Sequence, residues 1–210
     1  MNFTEIKQVI IDRAKNAGAC ADQFRRAVEA ETMPELLKVI TDNFTWCCDH
    51  KIIDIELLSK IEVPLLDEAR LYFNRDVSDG YCLVLDAEVR ASGNAEMLAF
   101  GNAKVEAFGN ATVEAFGNAT VRAWDNATVL AFGNATVRAW GNATVRAWGN
   151  ATVEASGNAT VRASGNATVR ASGNAFTLSY NSIEHESEGN SIIRWVETNR
   201  VVFGGEILKP

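Results

Sequence analysis

The sequence predicts a mainly β fold, a β-solenoid of octapeptide repeats standing behind a small N-terminal α-helical domain. Three observations lead there. From residue 85 the chain falls into octads that begin at 85, 93, 101 and so on to 173, twelve in all, with "GNATVRAWGNATVRAW" at 133–148 as the plainest instance. Internal repetition of this kind marks a stack of equivalent units, none of which can bury its apolar face alone. Within the octad, counted from its glycine, the third, fifth and seventh places are alanine, valine and alanine without change from Ala103 to Ala171. The alternation is that of a strand with one buried side. Ahead of the repeat, the apolar residues recur at helical spacing instead.

Residues 1–63 are read as the helical domain. Phe3, Ile6, Val9, Ile10 and Ala14 share one helix face, with Gly18 as a stop. Thr32-Met33-Pro34-Glu35 has the pattern of a capping box with proline in the first turn, and it leads into Leu36, Leu37, Ile40 and Phe44. Residues 19–30 and 52–62 supply two shorter helices. Residues 64–84 form a linker and first strand: Pro64 and the polar "NRDVSDG" at 74–80 mark the change, and "YCLVL" follows as the strand. Residues 85–180 are the solenoid. Residues 181–210 are expected to form C-terminal capping coils, because "GNSIIRWV" and "ETNRVVFG" keep the period with larger apolar residues.

The chemistry of the phrase explains its period. Glycine takes positive φ without steric cost, and asparagine tolerates it while bonding nearby backbone, so the chain can turn there. Asparagines stacked coil upon coil can form hydrogen-bonded ladders. Two octads per coil fit better than three, because alanine and valine are too small to fill a triangular lumen at native density. Charge agrees. With two octads per coil, the sixth places bring together four opposite pairs (Arg90/Glu106, Glu106/Arg122, Arg138/Glu154, Glu154/Arg170) and two like pairs (Arg122/Arg138, Arg146/Arg162). With three, the balance is two opposite and three like.

The "GNATVRA" phrase, with "IIDRAKNAGAC" and "DNFTWCC" ahead of it, resembles a group of octapeptide-repeat β-solenoid proteins from gut bacteria and their phages. The resemblance covers nearly the whole chain. It implies a solenoid behind a helical head and brings no catalytic residues with it.

Composition narrows the function classes. The repeat region holds seven acidic and seven basic residues, so it is neither a polyanion-binding stripe nor a DNA mimic, and no nucleic-acid partner is expected. No segment has the roughly 20 apolar residues of a membrane span. The first residues read as a helix rather than a signal peptide. Cys20, Cys47, Cys48 and Cys82 have no zinc or redox spacing. They fit free thiols in a reducing cytoplasm, where the eight Asn-Ala-Thr triplets are a by-product of the repeat and not glycosylation sites.

The eighth place of the octad is the candidate site. Phe100, Phe108, Phe116, Trp124, Phe132, Trp140 and Trp148 fill it in seven consecutive octads, and Ser156, Ser164 and Ser172 then replace them while the inner places stay fixed. A buried slot would pay for that exchange with a cavity, so the column is expected to be at least partly exposed. Two octads per coil split it into two edges, Phe108, Trp124, Trp140 and Phe100, Phe116, Phe132, Trp148. Such rows form self-stabilising ring ladders, a seat for the head or another subunit, or a surface that recognises protein or glycan.

Other motifs carry less. The threonine column suggests an ice-matching face, but charged sixth-place neighbours point to β-branched residues on an exposed sheet. His185 lies among glutamates in "IEHESE" and reads as a solvated loop. Cys47 and Cys48 read as core fillers. No phosphate loop, catalytic constellation, metal set or cofactor motif is found. The expected function is a non-enzymatic, cytoplasmic protein-interaction module, in one version a phage-encoded inhibitor of a bacterial enzyme or defence complex. A structural spacer in a phage particle or fibre ranks second, and a carbohydrate-binding or carbohydrate-active solenoid third. A homo-oligomer is compatible with each.

Overall fold

A computed structural model describes residues 1–72, 76–204 and 206–208. Phe73, Asn74 and Arg75, in the expected linker, and Gly205, Lys209 and Pro210, in the expected capping segment, lie outside the described residues.

The head comprises α1 (Phe3–Asn16), α2 (Ala21–Glu29), α3 (Met33–Asp42), α4 (Phe44–Asp49), α5 (Ile55–Leu58) and α6 (Val63–Glu68). Capping boxes open two of them: Asn2 with Glu5 starts α1, and Thr32 with Glu35 starts α3. Ile6, Ile10 and Ala14 of α1 are buried, as are Leu36, Leu37 and Ile40 of α3 and Phe44 of α4, and all belong to one apolar cluster. Pro64 does not end the helical region. It stands in the first turn of α6, where a missing N–H is harmless, so helices continue to Glu68.

The rest is a flattened β-solenoid with two octads per coil. Each octad strand pairs in parallel with the one sixteen residues on, Thr112↔Thr128 and Val113↔Val129 for example. Alternate strands therefore stack into two sheets, one of ten strands and one of eight. The alanines and valines of both sheets meet in a thin core and are essentially inaccessible from Ala111 to Ala151. Each corner glycine has positive φ, and from Gly109 to Gly189 each sits directly on the first-place residue of the preceding coil, a glycine everywhere but at Asp125. A Cβ on Gly157 would lie 3.0 Å from the Gly141 nitrogen, so the site excludes side chains by crowding as well as by φ. Asp125 is the one aspartate in this glycine column; its φ is +56°, and its Oδ2 accepts from the Gly109 N–H at 3.1 Å. Asparagine amides form the expected ladders, with Nδ2 donating to Oδ1 sixteen residues earlier, from Asn110→Asn94 at 3.5 Å to Asn190→Asn174 at 3.3 Å.

Register changes at both ends. The strand Tyr81–Leu85 pairs fifteen residues ahead, Leu85 with Phe100. The corner is one residue shorter, and Asp86 replaces the glycine-asparagine pair: its φ is +49°, and its Oδ1 accepts from the Asn102 backbone N–H at 2.7 Å and from Asn102 Nδ2 at 3.2 Å. At the far end, 189–196 does continue the coil, with Ile193 and Trp195 turned inward. Residues 197–204 do not. Val201–Phe203 runs antiparallel to Ile192–Trp195, and Glu206–Leu208 antiparallel to it in turn. The phrase "ETNRVVFG" lacks the glycine-asparagine pair that turns most earlier corners, and Asn199 takes the positive φ of a tighter reversal instead.

Candidate functional site

The two aromatic edges exist as ring ladders. On the edge that follows the eight-stranded sheet, Phe108 stacks on Trp124 at 4.6 Å and 6°, and Trp124 on Trp140 at 5.1 Å and 15°. On the other edge, Phe100, Phe116, Phe132 and Trp148 stack at 4.5, 4.8 and 4.9 Å, within 9° of parallel. Coil spacing sets these distances, because backbone in parallel register places like side chains about 4.8 Å apart.

The edges differ in what covers them. Phe100 is only 3% exposed, which corrects the expectation of an accessible column throughout. The head packs over the first coil here: Phe44 of α4 meets Phe100 edge-to-face at 5.6 Å and 90°, in a cluster that also takes Leu83 and Leu85. Leu98 and Phe116 are half-buried against the same cluster. Phe100 is thus the joint between head and rod, and Phe116 its margin. Phe108, Trp124, Phe132, Trp140 and Trp148 are half-exposed. The column also runs further than the serines suggest. Tyr180 holds the eighth place of its octad and Val196 that of the last coil, 43% and 39% exposed, on the edge that Trp148 ends.

The two outer faces differ in charge. On the eight-stranded sheet the sixth-place residues neutralise one another along the axis: Glu106 pairs with Arg90 at 3.0 Å and Arg122 at 3.3 Å, Arg138 with Glu154 at 2.8 Å, and Arg170 with Glu186. On the ten-stranded sheet no carboxylate stands in register with Arg146 or Arg162. Arg146 lies between Leu130 and Arg162, and Arg162 between Arg146 and Leu178. Further along, Phe176, Ile192 and Phe203 form an outward apolar row in place of threonine. The count of opposite pairs in the sequence did not reveal that they gather on one face.

The groups with chemical potential are arranged for structure. His185 does not lie in a solvated loop: it is half-buried and stacked on Trp195 at 5.5 Å, while Glu184 pairs with Arg200 and Glu186 with Arg170. Among the described residues no group of three or more His, Cys, Asp or Glu is disposed to hold a metal. His185 Nε2 lies 3.0 Å from Ser179 Oγ, the one Ser–His hydrogen-bond contact among the described residues. Its Nδ1 accepts from the Val169 N–H at 3.3 Å, so the neutral ring carries its proton on Nε2 and donates to the serine. A general base needs the reverse arrangement, with Nδ1 donating to a carboxylate. Burial pushes the Cys47 and Cys82 thiols up to about 12 and Cys48 higher still, so none is a thiolate nucleophile near neutrality. No described helix is long and apolar enough to cross a membrane.

No protein family, characterised protein or solved structure was found to match the chain.

Proposed function

We propose that this protein is a non-enzymatic interaction module whose ten-stranded face, from the margin of the head to the last coil, receives an acidic surface of a protein partner. The single observation that carries this is the asymmetry of charge. On one face each sixth-place arginine has a carboxylate partner, Arg122 and Arg138 included although they stand in register with each other, and on the other face Arg146 and Arg162 stand in register with each other and with leucines. Like charges stacked at coil spacing are unfavourable in the free protein, and carboxylates from outside would relieve them. The neighbours are apolar and largely aromatic, as the core of an interface is: Phe132 and Trp148 on the adjoining edge and Phe176, Leu178 and Ile192 on the face. A phage-encoded inhibitor that occupies a bacterial enzyme or defence complex is the specific version suggested by the repeat phrase. Such a role needs a rigid surface and no chemistry of its own.

The test is affinity purification from the native host with three proteins side by side. Wild type and a charge swap on the opposite face, Arg138→Glu with Glu154→Arg, should recover the same partner. Arg146→Glu with Arg162→Glu should lose it by at least about tenfold, equivalent to about 1.4 kcal/mol. Equal recovery by all three removes the ten-stranded face from consideration, and recovery of virion proteins by all three favours the spacer role.

A further inference from the structure

We propose that the three-ring edge ends in a binding site for a pyranose sugar, seated on the free face of Trp140. The inference is independent of the protein-binding face, which lies on the other sheet. Trp140 is stacked on one side only. Trp124 covers that side, and one coil further Ser156 occupies the place of a ring, with Ser172 beyond it. The backbone beneath does not change: Ser156 N donates to Ala139 O and Ser172 N to Ala155 O, each at 2.8 Å, as in the aromatic coils. The ladder therefore stops without its frame stopping. Where the next rings would stand there is a 210 Å³ cleft lined by Trp140, Glu154, Ala155, Ser156, Arg170 and Ser172.

The chemistry of the lining selects the occupant. An indole face is an apolar platform of fixed tilt, and ring stacking along this edge operates at 4.6 to 5.1 Å. Around that platform stand a carboxylate, a guanidinium and two hydroxyls, of which Ser172 Oγ donates to Ala155 O at 3.4 Å and is left as an acceptor. Arg138 engages Glu154 through Oε2, and Arg170 engages Glu186 through Nε. Glu154 and Arg170 stand in register and attract each other, and Oε1 of the one and the two terminal nitrogens of the other make no hydrogen bond within the described residues, so they face the rim as acceptor and donors. A sugar ring matches this pattern, with a C–H face for the indole and equatorial hydroxyls that both donate and accept. An aromatic side chain would satisfy the platform but would desolvate the rim without pairing it. With two serines in succession, the cleft continues for a second residue along the axis.

The test uses saturation-transfer NMR on the full chain with methyl β-D-glucopyranoside, methyl β-D-galactopyranoside and, as the competing chemistry, phenol. The expected result is transfer from the protein to the C–H protons of at least one glycoside. It should be lost in Trp140→Ser, and also in Glu154→Gln with Arg170→Gln, which keeps the ring and removes the charged rim. Circular dichroism of the rim variant should match wild type, so loss there reports recognition and not unfolding. No transfer to either glycoside, transfer that survives removal of the rim, or transfer to phenol alone would each overturn the assignment.

Discussion

At Thr177 the inward valine of the repeat becomes threonine, and its Oγ1 is a buried side-chain oxygen without a hydrogen-bond partner. An unsatisfied buried hydroxyl costs about 1–3 kcal/mol. Thr177→Val restores the residue that Val161 supplies one coil earlier, and it should raise the unfolding free energy by that amount, seen in urea as a higher midpoint with the slope unchanged. His185, nearby, makes the end of the rod sensitive to acid. Burial lowers its pKa below 6.5, while the charge of Glu184 acts in the opposite sense. Protonation would turn Nδ1 into a donor facing the Val169 N–H donor. For a base whose folded pKa is depressed, the unfolded chain takes up the proton first. The contribution is complete above pH 6.5 and declines as pH falls through that value toward the folded pKa. Melting temperature should therefore fall between pH 7.5 and 5.5, and His185→Gln should flatten the difference. Glu186, held below 4.5 by the Arg170 guanidinium, contributes in a separate and lower window. Neither effect was legible in the sequence, because the interior positions of 181–188 emerge only once the register across Arg170↔Glu186 is known.

Among the elements, one column of the repeat performs two tasks. Phe100 joins the head to the rod through Phe44, whereas Trp148 ends the same ladder half-exposed. Phe100→Ala should cost about 3–5 kcal/mol, as truncation of a fully buried ring does. Trp148→Ser removes one stacking partner at the surface and should cost about 0.5–1.5 kcal/mol beyond the loss of burial. Denaturant titration of the two variants checks the ranking. Equal losses would mean that the ladder, and not the head, holds the first coil. The sequence carried the coil size, the inner alanine-valine set and the capping box of α3, because each depends on a local period or a fixed spacing. It did not carry the burial of Phe100, since the aromatic-to-serine exchange speaks for the column as a whole and the head covers only its beginning. The reversal at 197–204 was hidden for a related reason. The phrase keeps the count of eight while losing the corner residues that give the count its meaning.

In the whole molecule, the glycine-asparagine corners of both edges share one construction, so strands of the two sheets are interchangeable in shape and differ only in what they display. Two deletions separate shape from display. Removing 117–132 takes out one complete coil. Glu114 then stacks on Arg146 and Glu106 on Arg138, Phe116 meets Trp148, and all downstream residues keep their face. Removing 117–124 takes out half a coil. The inner alanines and valines still match, yet Arg146, Arg162 and Trp148 move to the side now held by Glu106 and Phe108, away from the flank of the head. Both proteins should fold with β-rich circular dichroism spectra, because a stacked repeat depends on contacts between neighbouring units. Partner capture should survive the sixteen-residue deletion and fail with the eight-residue one, if recognition uses the ten-stranded face together with the margin of the head. Failure of both to fold would show that the two corners are not equivalent. Capture by both would confine recognition to coils beyond residue 132 and would leave the helical head as an end cap, its apolar surface spent on closing the first coil around Leu83, Leu85 and Phe100.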